Sequence, residues 1–316
     1  MPGSTIVCLG GAHMDRTAVI RGTVKLAASN PVTTRSQVGG VACNVARNLA
    51  RLEHHATLVT LVGVDAEGDA VADAVAEAGA DGAGIERSDR PTGSYLVVLD
   101  EAGELVIGLA DMEIYDDATP AYLARHESLL RSANAVVLDA NLPAETLTAL
   151  PEILAPGQPL YAAAVSPAKA PRLKPLLPRL AGLFANRREA SVLVGGDPDG
   201  STDGLDLATR LCTLGPAAAF VTLGPEGAAA ATGSYCKRLA PPQPNPLRDV
   251  NGAGDGFMAG AVDALLHGRS GAEAIREGLA VASLTCESTE AASSTVTRQS
   301  VATRAGIPSI SESSSP

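Results

Sequence analysis

Short apolar segments that alternate with helical segments are the feature of this sequence that most restricts its fold. Ile6–Leu9 is an apolar run stopped by Gly10-Gly11, which is typical of a buried strand. From Asn44 to Leu52 the apolar residues recur on one helical face, and Asp69–Ala78 is an Ala-rich helical segment ended by Gly79. Further strand-like runs lie at Thr57–Val62, Ala135–Leu138, Leu180–Ala185 and Phe220–Leu223. The alternation predicts βαβ units, and therefore an α/β fold with a Rossmann-like, mostly parallel sheet flanked by helices.

Two regions interrupt this alternation with strands that have no helix between them. Tyr95–Leu99 and Leu105–Leu109 flank Asp100-Glu101-Ala102-Gly103, which is a β-hairpin pattern. Thr17–Val24 and Val32–Val38 also have an extended pattern. We expect these strands to form a small β lid that covers a site. Edge strands of the main sheet are the alternative, and the pattern alone leaves both open.

The chain length suits one large domain. We expect residues 1–306 to form a single α/β domain, with the lid built from about residues 16–38 and 92–112. The last segment, 307–316, is rich in Ser and is expected to be a disordered tail.

Charge and cysteine content narrow the functional class. The formal net charge is -11, which disfavours nucleic-acid binding because the protein would repel the phosphate backbone. The five cysteines are odd in number and show no metal-ligand spacing, so free thiols in a reducing compartment are expected. The start of the chain lacks a basic signal-peptide region, and no apolar run is long enough to span a bilayer. We therefore expect a cytoplasmic protein with small-molecule ligands and no nucleic-acid or membrane partner.

The strongest local signal is Asn251-Gly252-Ala253-Gly254-Asp255-Gly256, which opens a helical run through Leu266. Small residues let a backbone approach a ligand closely, and successive amides at a helix N-terminus bind anions. Asp255 would repel a bound phosphate unless it takes a proton from an attacking hydroxyl. The amides of Gly252, Ala253 and Gly254 would then stabilise charge on a transferred phosphoryl group. A Gly-rich turn with Asp255 as a helix cap is the alternative, and spacing alone favours neither.

Two weaker signals lie near the first predicted strand. Gly40 permits close approach at a helix start, and Asn44 can donate hydrogen bonds to a sugar hydroxyl or accept them from it. A helix that Asn44 caps is the simpler interpretation. Asp15 follows the first strand, at the edge of the sheet where ligands of α/β proteins bind, and could accept hydrogen bonds from a diol. A surface aspartate is the alternative there.

Two later strand ends could receive a nucleotide. Thr222, Gly224 and Gly227 lie in a strand that ends in a Gly-rich turn, which could instead be an ordinary tight turn. Asn186 and Glu189 have helical spacing after a strand and could hold a metal-bound water near phosphates, although such pairs are usually solvated helix starts. The chain has neither a P-loop motif nor a zinc-protease motif.

Taken together and in this order, these elements resemble the PfkB-type, ribokinase-like carbohydrate and nucleoside kinases over nearly the whole chain. Gly39-Gly40-Val41-Ala42-Cys43-Asn44 is similar to the N-terminal signature of that family. Asn186-Arg187-Arg188-Glu189 resembles its Asn-x-x-Glu motif, and Gly252-Ala253-Gly254-Asp255 its C-terminal signature. The resemblance implies a ribokinase-like fold with a β lid, and an ATP-dependent phosphotransferase. It makes a dinucleotide-binding oxidoreductase a poor alternative, since the first strand lacks a G-x-G-x-x-G turn.

The resemblance also implies roles for individual residues. Asp255 would be the catalytic base, and Gly252, Ala253 and Gly254 would form the anion hole. Mg-ATP would be the co-substrate, many relatives are helped by K⁺, and dimers that form through the lid are common among relatives. The implied sugar-binding residues are Asp15, Gly40 and Asn44. The implied ATP-site residues are Asn186, Thr222, Gly224 and Gly227, with Glu189 acting on the metal through water.

Within the family, several segments are most similar to the kinases that phosphorylate the 5′-hydroxyl of pseudouridine. They include Gly10-Gly11-Ala12-His13-Met14-Asp15, Ser29-Asn30-Pro31, Thr92-Gly93-Ser94-Tyr95, Gly103-Glu104-Leu105, Ala110-Asp111-Met112 and Asp139-Ala140-Asn141-Leu142. Ser29, Asn30, Thr92 and Ser94 are candidate readers of the base, with turn formation as the alternative for each. Asp139 and Asn141 are candidate substrate contacts. A kinase for ribose, fructose or adenosine, or a catalytically weak nucleoside-binding relative, remains open.

Two positions depart from the patterns of those relatives. Asn251 stands where relatives often have Thr in Asp-Thr-Thr or Asp-Val-Thr. Ala163 stands where pseudouridine kinases tend to have Asp in Asp-Pro-Val-Ser. The missing carboxylate at 163 implies weaker metal organisation and a slower reaction, with the fold unchanged.

Overall fold

A computed structural model describes residues 3–233 and 235–307 of the chain. Within this part of the chain the strands are β1 (Thr5–Leu9), β2 (His13–Ile20), β3 (Val32–Gly39), β4 (His55–Gly63), β5 (Asp81–Ser88), β6 (Ser94–Leu99), β7 (Leu105–Asp111), β8 (Ala135–Asp139), β9 (Leu160–Ala163), β10 (Gly182–Asn186), β11 (Ala218–Thr222), β12 (Ala228–Thr232) and β13 (Tyr235–Leu239).

The α-helices of the same residues are α1 (Val41–Arg51), α2 (Ala66–Glu77), α3 (Pro120–Arg125), α4 (Glu127–Ser132), α5 (Ala144–Ile153), α6 (Arg187–Leu193), α7 (Gly204–Thr213), α8 (Ala253–Leu266), α9 (Gly271–Cys286) and α10 (Arg298–Ala305). Short 3₁₀ helices lie at Glu113–Asp117, Ala170–Arg179 and Gly224–Glu226.

The main sheet confirms the predicted α/β fold. Its order is β13-β12-β11-β10-β9-β8-β1-β4-β5, and the pairs from β11 through β5 are parallel while β12 and β13 pair antiparallel at one edge. Its inner strands, from β12 to β4 in the sheet order, are buried on both faces, which is why most of them are continuous apolar runs rather than alternating ones. One face packs on a cluster that includes Leu138 and Leu183. The other packs on a cluster that includes Phe220 and Phe257, contributed by β11 and α8.

The first residues of α1 and α2 differ from the sequence expectation, because a glycine precedes α1 and a side-chain cap precedes α2. The predicted helix Asp69–Ala78 begins earlier, at Ala66, because the side chain of Asp65 accepts the amide N–H of Gly68 and caps it. The idea that Asn44 caps the first helix is wrong. That helix starts at Val41 after Gly40, whose φ is 99°, and Asn44 lies within its first turns.

Strands β3-β2-β6-β7 form a second sheet, separate from the main one. β6 and β7 pair antiparallel as the predicted hairpin, β2 and β3 pair antiparallel, and β2 pairs parallel with β6. These strands are therefore not edge strands of the main sheet.

The predicted tail falls almost wholly outside the described residues. Its first residue, Ile307, is described: its amide N–H donates to the carbonyl of Ala302, and it packs against an apolar cluster that includes Val301. Residues 308–316 lie outside the described part. Among the residues that are described, no helix is both long and apolar enough to cross a membrane.

Candidate functional site

The carboxyl ends of β1 and β8 meet at a buried aspartate. Asp139 is fully buried, and its two carboxylate oxygens accept the amide N–H groups of Gly11 (2.9 Å), Ala42 (3.0 Å) and Asn141 (2.9 Å). A Cβ at Gly10 would lie 2.4 Å from this carboxyl carbon, so only glycine fits there. Asp139 therefore fixes three loops relative to one another. Asp139 therefore positions backbone segments of the protein, whereas the sequence suggested that it contacts the substrate.

Helix α1 begins at the same junction. A Cβ at Gly40 would lie 2.3 Å from the carbonyl oxygen of Gly11, so the predicted close approach at Gly40 is between two segments of the protein itself. Asn44 lies one turn into α1 and is buried, and its side-chain amide points away from the helix start toward α8.

The hydroxyl of Tyr115 holds the turn after β1 in place. It donates to the carbonyl of Ala12 (2.6 Å) and accepts the N–H of the same residue (2.8 Å). Nothing local in the sequence marked Tyr115.

The glycine-rich turn before α8 has two different glycines. Gly252 has a φ of 76°, and a Cβ there would lie 2.1 Å from the carbonyl oxygen of Ala291. Gly254 faces open space, since a Cβ added there would meet no atom of another segment within 4 Å. The N–H groups of the first turn of a helix have no intrahelical acceptor. Because no other segment lies close to Gly254, an anion can approach the free N–H groups of this first turn there.

Asp255 lies in this first turn, and its carboxylate has the properties of a proton acceptor. It accepts the side-chain N–H of Asn44 at 2.9 Å. Burial raises the pKa of Asp255 to about 7, and this bond only partly offsets the rise. The neighbouring carboxylates of Asp139, Asp15 and Glu189 raise the pKa further. A base with a pKa near neutrality is well matched to proton transfer. The alternative role as a helix cap is not supported, since α8 begins after Gly252 without a side-chain cap.

Asp15 links the second sheet to the glycine-rich turn. It lies on β2, where its carboxylate faces His13 Nε2 (3.1 Å) and accepts the Asn251 side-chain N–H (3.3 Å). Only 15% of its side chain is exposed, so it is not a free surface aspartate. Arg35 on β3 also pairs with Asp249, just before the same turn. The departure at Asn251 thus has a structural consequence, because its amide contacts the predicted sugar-binding carboxylate.

Asn186 and Glu189 form a closed capping box at the start of α6. The Asn186 side chain accepts the N–H of Glu189 (3.0 Å), and the two Glu189 oxygens accept the Asn186 backbone N–H (2.8 Å) and side-chain N–H (2.7 Å). Glu189 is 5% exposed, and burial raises its pKa. Glu189 is therefore buried, whereas Asn186 at the helix start is exposed.

The predicted nucleotide turn contains one open and one packed glycine. Thr222 ends β11 directly beside Asn186 at the end of β10. Gly224 has a φ of 60° and open space around its Cα, whereas a Cβ at Gly227 would lie 2.0 Å from the carbonyl oxygen of Leu239. Thr222 and Gly224 can thus line a groove with Asn186, while Gly227 is needed for packing against β13.

Two of the four predicted base readers are occupied by local hydrogen bonds. Thr92 is buried, donates to Asp65 (2.6 Å) and accepts the N–H of Gly63 (2.8 Å). Asn30 closes its own loop, accepting the Lys25 N–H (2.9 Å) and donating to the Lys25 carbonyl (2.8 Å). Both shape turns, which was the alternative for each. Ser29 is exposed, and Ser94 opens β6 beside Met14.

Comparison with known proteins gives one consistent result. Residues 4–298 match the family model of the pfkB family carbohydrate kinases. The chain is 30% identical to the pseudouridine kinase of Escherichia coli over 288 residues, covering 90% of this chain and 91% of that protein. It is 36% identical to a carbohydrate kinase from Agrobacterium tumefaciens, with a TM-score of 0.81 and coverage of 97% and 98%.

A further likeness concerns the fold alone. The structure of Arabidopsis thaliana ribokinase complexed with ribose and ATP is 23% identical, with a TM-score of 0.84 and coverage of 97% of this chain and 100% of that one. This match supports the ribokinase-like α/β fold. The family model and the E. coli relative show a phosphotransferase that acts on a sugar or nucleoside hydroxyl. The chain belongs to the PfkB family of carbohydrate kinases.

Proposed function

We propose that this kinase transfers the terminal phosphoryl group of Mg-ATP to the 5′-hydroxyl of pseudouridine. The observation that carries the proposed chemistry is Asp255, a half-buried carboxylate with a pKa of about 7 in the first turn of α8. The substrate is supported by the likeness to the E. coli pseudouridine kinase and by the segments of the sequence that resemble pseudouridine kinases. Kinases for other sugars or nucleosides are the alternative within the same family.

In the proposed reaction, Asp255 accepts the proton of the 5′-hydroxyl as its oxygen attacks phosphorus. Asn44 holds the carboxylate in place through its 2.9 Å hydrogen bond. The N–H groups at Gly254 and Asp255 then face the charge that develops on the transferred group. Asp15, held by Asn251 and His13, is placed to accept hydrogen bonds from ribose hydroxyls.

The residues present fit Mg²⁺ that is bound mainly through phosphates and water. Both oxygens of Glu189 are occupied by Asn186, so Glu189 would act on the ion through a water molecule. Mg²⁺ usually keeps several waters and is seldom held in an all-protein cage. When bound, it neutralises charge on the phosphates. The family resemblance implies that K⁺ assists the reaction, so the activity assays should contain K⁺.

A steady-state comparison of acceptors tests the proposal. We expect kcat/KM at fixed Mg-ATP to be clearly higher for pseudouridine than for uridine, ribose or adenosine. Pseudouridine carries an extra ring N–H, and a buried acceptor built for it would remain unpaired with uridine, which is costly. Chelation of divalent metal should abolish ADP release with every acceptor. If ribose or adenosine is preferred, the substrate assignment is wrong while the family assignment stands.

The second sheet also supports a proposed homodimer. Its edge strand β7 exposes Leu105, Ile107 and Leu109, by 63%, 47% and 50% respectively. An exposed apolar edge strand readily pairs with another chain. We expect a dimer at micromolar concentration in light scattering coupled to size exclusion, and a monomer for Ile107→Lys. A monomeric wild-type protein would contradict this proposal.

A further inference from the structure

Lys169 and Asn141 form a polar pair at the carboxyl ends of β9 and β8. The Lys169 ammonium donates to Asn141 Oδ1 at 2.6 Å. An ammonium has three N–H donors, and in the described chain no carboxylate lies within ion-pair distance of this one. Burial lowers the pKa of Lys169, and the charge of Asp139 only partly offsets this. The lysine is therefore a partly buried cation without a direct counter-ion.

The other half of the Asn141 amide has no partner. Asn141 is 5% exposed, and its Nδ2 is buried without an acceptor in the described residues. A buried donor without an acceptor is costly and uncommon. A Cβ at Gly11 would lie 2.6 Å from this nitrogen, so the amide faces the turn that follows β1. Two kinds of donor, an ammonium and an amide, thus lie together without an anionic acceptor.

The backbone that carries both groups is held in place. Val165, between β9 and Lys169, has a φ of 68°, which β-branched residues rarely adopt. Such conformations concentrate at functional sites, where the surrounding structure imposes them. Arg172 donates to the carbonyls of Ala140, Asn141 and Leu142, at 3.2, 2.9 and 3.2 Å. The pair is therefore ordered without a ligand.

Strand order places the pair between the two halves of the cleft. The proposed acceptor contacts lie at β1 and the second sheet, and the proposed nucleotide contacts lie at β10 and β11. β8 and β9 lie between them in the sheet, so a phosphoryl group that moves from one half to the other passes their carboxyl ends. Two other cations near this edge, Arg35 and Arg187, are paired with Asp249 and Glu226.

From these observations we infer that Lys169 and Asn141 are a second phosphate-binding subsite, which contacts the terminal phosphate oxygens of the nucleotide across from the Gly252–Gly254 turn. This inference rests on the proposed kinase reaction. Lys169 would bind one non-bridging oxygen through its free N–H groups, and Asn141 Nδ2 would supply a neutral hydrogen bond. The subsite would offset negative charge in a cleft that holds the carboxylates of Asp15, Asp139 and Asp255.

Three variants test this subsite. Lys169→Met removes the charge and keeps the aliphatic chain, and Lys169→Arg keeps the charge. Lys174→Met is the matched control, since Lys174 is exposed on the 3₁₀ helix that begins directly after Lys169. Kinetics at varied ATP would be combined with calorimetric titrations of a non-hydrolysable ATP analogue and of pseudouridine. We expect Lys169→Met to weaken nucleotide affinity or lower kcat by roughly 10- to 100-fold, the range for one charge-assisted hydrogen bond.

The remaining readouts separate binding from folding. Pseudouridine affinity and melting temperature should change little in Lys169→Met, Lys169→Arg should recover most of the loss, and Lys174→Met should match wild type. Wild-type values for nucleotide affinity and kcat in Lys169→Met would overturn the inference, as would an equal loss of pseudouridine affinity. If wild-type protein phosphorylates none of the acceptors, the proposed function fails, whereas titrations with a non-hydrolysable ATP analogue, which keeps the terminal phosphate, still decide the role of Lys169.

Discussion

Replacing Asp255 with Asn is expected to lower kcat by about 10²–10⁴-fold, the usual contribution of a general base. The amide keeps the shape of the carboxylate and can still pair with Asn44, but it cannot accept the proton of the attacking hydroxyl. Binding of the acceptor and the nucleotide should survive. The measurement is single-turnover phosphoryl transfer with binding titrations, and Asp73→Asn on the exposed face of α2 is the matched control.

The pH dependence gives a second readout of the same assignment. Burial raises the pKa of Asp255 to about 7, so its protonated, inactive form is populated at neutral pH. The wild-type rate should therefore rise with pH through about 7, and this step should be absent from the Asn variant. Because the folded pKa lies above the unfolded one, which is roughly 4, Asp255 costs stability as pH rises from that value to about 7. The variant should thus be no less stable than wild type at pH 8. Near-full turnover in the variant would refute the role of Asp255.

Features set by local sequence were predictable. The strand Ile6–Leu9 and the hairpin around Asp100–Gly103 follow from apolar runs and turn residues, and both were found, with ends shifted by one or two residues. The parallel order of the sheet followed from the alternation of strands and helices. The glycine-rich turn before Asp255 was recognisable because its spacing has a chemical reason.

Features that depend on distant partners were not predictable. Asn44 was a candidate for binding a sugar hydroxyl or for capping its helix, and its side-chain N–H instead donates to Asp255, 211 positions along the chain. Thr92 was a candidate reader of the base or a turn former, and its hydroxyl donates to Asp65. Lys169 carried no motif, since its partner Asn141 lies 28 positions away in a different loop. In each case the side chain has several hydrogen-bonding options, and tertiary packing decides among them.

A buried charge network beneath α8 is the basis of the second large prediction. Asp263 is 2% exposed, and its Oδ1 lies 2.7 Å from His54 Nε2, 3.2 Å from His267 Nδ1 and 3.2 Å from a guanidinium nitrogen of Arg298. His54 Nδ1 accepts the N–H of Ser4, so its Nε2 carries the proton and donates to Asp263. With Arg298 on the same oxygen, this cluster is a hydrogen-bonded network rather than a cation site.

The network joins the start of β4, α8 and α10, so loss of its single carboxylate should affect the whole domain. We expect Asp263→Asn to lower the free energy of unfolding by about 3–5 kcal/mol, because breaking a buried pair leaves its partners uncompensated. The check is the midpoint of urea unfolding at an unchanged slope. Asp206→Asn is the matched control, since Asp206 forms an exposed pair with Arg210 at 3.7 Å, and such pairs contribute about 0–1 kcal/mol.

The pH dependence of stability separates this network from a simple packing defect. Burial favours protonation of Asp263, but hydrogen bonds from His267 and His54 and the charge of Arg298 hold its pKa well below the usual range. Its contribution is therefore present above the unfolded pKa, roughly 4, and is lost as pH falls below that value. The hydrogen bond to Asp263 raises the pKa of His267, whose contribution is present below roughly 6.5 and is lost as pH rises through its folded pKa. The stabilisation that Asp263→Asn removes should thus be largest between about pH 4 and 6.5. A loss that is the same at pH 3, 5.5 and 9 would show that Asp263 acts through its shape alone.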